Sequence, residues 1–79
     1  MKCVFLTMSR PGYETLSVYV FSYENALVLI RHYAQLGFTI DARFLVDGKE
    51  IRLYTNEKNY PTAFLAGAVW GFFMDEKNQ

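Results

Sequence analysis

Cysteine, histidine, proline and net charge are all scarce in this chain. Among its 79 residues Cys3 is the only cysteine and His32 the only histidine. A lone cysteine excludes an intrachain disulfide and a cysteine-cluster metal site, and a lone histidine leaves a metal ion to carboxylates brought from elsewhere. Cys3 reads as a small core residue. His32 follows Arg31 on the polar side of a predicted helix and reads as a surface residue, which keeps it away from Cys3 and argues against a Cys-His nucleophile.

Eight basic and eight acidic side chains cancel to a formal charge of zero. General binders of nucleic acid or acidic membrane carry a basic excess, which is missing here. No apolar run reaches the roughly 20 residues of a membrane span, and Met1 to Met8 is too brief for a secretory signal. The expected location is the cytoplasm, and no membrane partner is expected. Gly12, Gly48, Gly67 and Gly71 do not cluster before a helix with a positioned lysine, so they make no phosphate loop. No pair of carboxylates is spaced for acid and base work. The expectation is a protein that is not an enzyme and carries no cofactor and no metal.

Apolar side chains are what the chain has in quantity. They make up 52% of the residues, 18% being aromatic, too many for a disordered segment. At this length one domain, residues 1–79, is expected, near the size where a single core supplies only a few kcal/mol. Either the core is rich in aromatics or part of the apolar surface meets something outside.

Lys2 to Met8 is almost wholly apolar, as in a strand covered on both faces. Ser9, Arg10, Pro11 and Gly12 break it, and Thr15 to Phe21 resumes with Leu16, Val18 and Val20 on one face and Ser17, Tyr19 and Phe21 on the other. Ser22 is placed to cap a helix that Glu24 favours at its positive end and Gly37 terminates near Leu36. Its buried stripe is Tyr23, Ala26, Leu27, Ile30, Tyr33 and Ala34, with Glu24, Asn25, Arg31, His32 and Gln35 in water.

Asp47-Gly48 is the clearest turn signal, a two-residue connection between alternating strands. A type I′ turn there pairs Val46 with Lys49, Phe44 with Ile51, Ala42 with Leu53 and Ile40 with Thr55. The opposite face then carries Thr39, Asp41, Arg43, Leu45, Glu50, Arg52 and Tyr54. Asn56 to Tyr60 is a polar loop, Pro61 opens a last helix, and residues 75–79 form a frayed polar tail. The order β-β-α-β-β-α predicts an α+β fold, one antiparallel four-stranded sheet with two helices packed on one face.

The last helix, Pro61 to Met74, is apolar on every side. At about 100° per residue, Phe64, Leu65, Ala68, Val69 and Phe72 gather on one side and Ala63, Ala66, Gly67, Trp70, Phe73 and Met74 on the other. The first set is the better core face. Ala63, Gly67 and Gly71 form a low ridge that permits close backbone approach, and Trp70 is of the type that dominates interface energy. The candidate protein-interaction surface is therefore Ala63, Gly67, Trp70, Gly71, Phe73 and Met74. Cover by the first helix is the competing reading, and a strand over Ala68 to Met74 is an alternative because glycine lowers helix propensity.

A second candidate surface, Tyr19, Phe21, Arg43, Arg52 and Tyr54, lies on the outer sheet face if the two strand pairs adjoin. Aromatics and arginines on a sheet are a means of stacking bases, although Asp41 and Glu50 stand as diagonal neighbours of the arginines. The functional expectation is a small homodimeric protein-binding module, acting on a larger protein or nucleoprotein as a stoichiometric inhibitor or adaptor. Small phage-encoded inhibitors of host defence share this character of size and class. The alternative is a single-stranded nucleic-acid binder, and a weaker third reading is an enzyme whose site forms between subunits.

Overall fold

A computed structural model describes residues 1–55 and 62–74. The elements follow the expected order: β1 (Lys2–Ser9), β2 (Leu16–Val20), α1 (Tyr23–Gln35), β3 (Thr39–Val46), β4 (Lys49–Tyr54) and α2 (Thr62–Met74). The strands form one antiparallel sheet in the order β2-β1-β3-β4, so the two hairpin-like pairs adjoin through β1 and β3. The predicted loop 56–60, Pro61 and the tail 75–79 lie outside the described residues.

Local chemistry accounts for most boundaries. The Ser22 hydroxyl accepts from the Asn25 amide at 3.2 Å, satisfying a donor that α1 leaves orphaned. Gly37, at φ +85°, closes the other end, its amide donating to the Ala34 carbonyl. Asp47 and Gly48 both have positive φ, as a type I′ turn demands.

The core lies between one face of the sheet and both helices. Val4, Leu6, Met8, Val20, Ile40, Ala42 and Phe44 from the strands meet Ala26 and Ile30 of α1 and Leu65 and Val69 of α2. Burial alternates along β1 from Cys3 onward, so its predicted cover on both faces is corrected: Val4, Leu6 and Met8 are buried, while Cys3, Phe5 and Thr7 are half-buried on the other face. Cys3 is thus not a core residue.

The hairpin register is a second correction. Val46 does face Lys49 and Leu45 faces Glu50, but Phe44 then faces Arg52, Arg43 faces Leu53 and Ala42 faces Tyr54. Ile51 is the extra residue of a β-bulge. Side chains alternate with period two, so one inserted residue moves the rest of β4 to the opposite face.

Candidate functional site

Leu65 and Val69, one helical turn apart, seat α2 on the core with Phe72. The buried arc is rotated relative to the predicted one. Phe64, expected against the sheet, is 59% exposed, whereas Phe73, expected outside, is half-buried against the core and stacks edge-on with Phe72. The cause is α1, which packs along the Ala66 side of α2 and draws the buried arc that way. Tyr23, Leu27, Arg31 and Ala34 of α1 share a shallow groove with Thr62, Ala63 and Ala66.

This leaves an apolar crest along α2. Ala63, Gly67, Trp70 and Met74 are exposed, Trp70 by 54%, and Gly71 is half-buried beside them. Thr62–Met74 contains no charged residue, so the crest offers water no ionic group. The competing reading, cover of the Gly67 and Gly71 ridge by α1, is not found: among the described residues a Cβ added at either glycine meets nothing within 4 Å. Of the first candidate surface, then, Ala63, Gly67, Trp70, Gly71 and Met74 lie together and Phe73 turns inward.

Beyond the glycines the crest descends into a groove of about 690 Å³ between α2 and the β3–β4 hairpin. Its floor is Phe44, Val46, Ala68 and Phe72, the two phenylalanine rings meeting edge-to-face at 5.1 Å. Gly67 and Gly71 form one wall, Ile51 and Arg52 the other, and Lys2 stands at the end. The Lys2 ammonium donates to the Phe72 carbonyl at 2.8 Å and lies over the Phe72 ring, so a cation from β1 closes the negative end of α2. Arg10 does the same for α1, donating to the Leu36 carbonyl and stacking on Tyr13.

The second candidate surface is divided between the two faces. Tyr19 and Arg43 do share the outer face, each directly opposite Phe5, and Phe21 follows the β2 strand 56% exposed. Arg52 and Tyr54 are carried by the bulge to the helix face, where Arg52 lines the groove and Tyr54 packs on the core. Leu53 takes the place opposite Arg43, and Arg43 pairs with Glu50 at 3.5 Å. Phe5 is the outer-face aromatic that sequence reasoning missed, its ring 4.5 Å from that of Tyr19. The alternation of Cys3, Phe5 and Thr7 against Val4, Leu6 and Met8 was the available signal.

His32 is exposed on α1 with its ring edge-on to Tyr33, and Cys3 sits on the sheet face away from the helices. Among the described residues no helix is long and apolar enough to cross a membrane. Comparison with family models, curated proteins and solved structures finds no match.

Proposed function

We propose that the chain is a small, non-enzymatic protein-binding module of the cytoplasm, an inhibitor or adaptor that acts by occupying a larger protein or nucleoprotein. The observation that carries this reading is the crest of α2: Trp70 and Met74 stand exposed beside Gly67 and Gly71, where an added Cβ would meet no other described residue within 4 Å, on a helix without charge. Exposed contiguous apolar surface is costly in water and marks interaction sites. A tryptophan beside a low ridge supplies an anchor and room for an approaching backbone.

In the absence of its target, a second copy covers the crest, so the free chain is a homodimer. Zero net charge supports this, since it removes long-range repulsion between copies. The nucleic-acid reading has less support, because its aromatics and arginines are split between two faces and Arg43 is held by Glu50.

Sedimentation equilibrium over a wide concentration range, together with capture of a partner from the native source, tests the proposal. Gly67→Leu and Trp70→Ala are expected to shift the protein to monomer and to lose the partner while remaining folded. A chain that is monomeric throughout, and captures the same proteins with and without these substitutions, contradicts it.

A further inference from the structure

The charged side chains on the helix side of the β3–β4 hairpin are all cations. On the helix side, Lys2 and Lys49 flank Val46 from the two neighbouring strands, and Arg52 lies opposite Phe44. The outer side carries both signs: Asp41, opposite Thr7, and Glu50, opposite Leu45, lie there with Arg43, which pairs with Glu50. The bulge at Ile51 brings Arg52 to the helix side, because an unbroken register would place it beside Arg43 and the acids. Bulges recur where a strand must re-aim a side chain for function. Among the described residues no acid lines the groove, and Arg52 makes no ion pair.

The groove therefore joins an apolar floor to a cation on its hairpin side, Arg52, with Lys49 on the same sheet face beyond its lining. Gly67 and Gly71 keep its helix-side wall low, so the groove opens onto the crest that carries Trp70. That continuity favours an extended or helical polypeptide over a small ligand, which needs enclosure on most sides.

Building on the protein-binding reading above, we infer that the segment received by this groove is an acidic, apolar peptide of the partner protein. Its large apolar side chains lie on Phe44 and Phe72, and its carboxylates face Arg52 in the groove and reach Lys49 beside it on the same sheet face. Complementary charge of this kind sets which partner is accepted and how fast it is met.

Selection from a displayed library of random peptides of roughly 12 residues against the intact chain tests the inference. Enriched peptides are expected to combine Asp or Glu with Leu, Phe or Trp. Labelled copies are expected to bind at least about tenfold more weakly to Lys49→Glu/Arg52→Glu, and binding to the wild type should fall with salt. Both positions are exposed, and circular dichroism verifies that the variant is folded. Selection on the charge-reversed variant should enrich basic peptides instead.

Several results overturn the inference: no enrichment, enrichment without acidic bias, or equal binding to the charge-reversed variant. Tight binding of a labelled single-stranded oligothymidylate that is lost in the same variant also overturns it, in favour of nucleic acid. Peptides that resist the charge reversal but are lost in Trp70→Ala leave the protein-binding reading standing while removing the acidic occupant.

Discussion

Phe44 lies directly across the β3–β4 ladder from Arg52, although counting outward from the Asp47-Gly48 turn assigns it to Ile51. Everything distinctive about the groove follows from that displacement. It brings a cation to the helix side of the sheet and leaves Ile51 largely exposed on the groove's wall.

The bulge separates two outcomes for the β3–β4 hairpin. Ile51 is 61% exposed, so Ile51→Ser is expected to cost less than about 1 kcal/mol in urea unfolding. Phe44→Ala, which empties the centre of the core, is expected to cost about 3–5 kcal/mol. In an unbroken register Ile51 would pack beside Phe44, and its substitution would cost several times more.

Within α2 the substitutions should split by face. Leu65→Ala is expected to lose about 2–5 kcal/mol of stability, because its side chain is buried between the helix and the sheet. Trp70→Ala should change the stability of the folded monomer by less than about 1 kcal/mol, because the indole stands on the exposed crest. Chemical denaturation at dilution, where association is suppressed, checks both.

Gly67 gives a sharper contrast. It lies inside α2 with open space where a Cβ would be, so Gly67→Ala is expected to raise stability by about 0.5–1 kcal/mol through helix propensity. Gly67→Leu should keep much of that gain yet weaken association by raising the ridge. Thermal unfolding and sedimentation on the same samples read the two effects separately.

The cationic caps are testable at their own helix ends. Lys2→Ala removes the hydrogen bond to the Phe72 carbonyl and the charge beside the α2 terminus, an expected loss of about 1 kcal/mol. Amide hydrogen exchange should speed up in the last turn of α2 and stay unchanged in α1. Arg10→Ala should reverse that pattern, because its contact is with Leu36.

Sequence reasoning read best where a few neighbouring residues determine the backbone. Ser22, Gly37 and the Asp47-Gly48 pair act through their own φ values and hydrogen bonds, and the element order follows from them. The bulge at Ile51 was not legible, because β4 alternates acceptably in either register and the choice depends on how the hairpin meets β1 and α2. The rotation of α2 was hidden for a related reason. A helix apolar all round carries no internal mark of its inward side, so Phe64 and Phe73 exchange roles once α1 packs on the Ala66 side. The exposed crest was legible in part, since Gly67, Trp70 and Met74 share one arc of the wheel whichever phenylalanine turns inward.

Site-specific photocrosslinking in the native source tests most directly whether the crest meets another protein. Trp70 is replaced by p-benzoylphenylalanine, and Val28, 67% exposed on α1, is replaced likewise as the control. The account predicts a discrete protein adduct, a second copy or a larger partner, from position 70 and none from position 28. No adduct at position 70, or the same adducts from both positions, would contradict it.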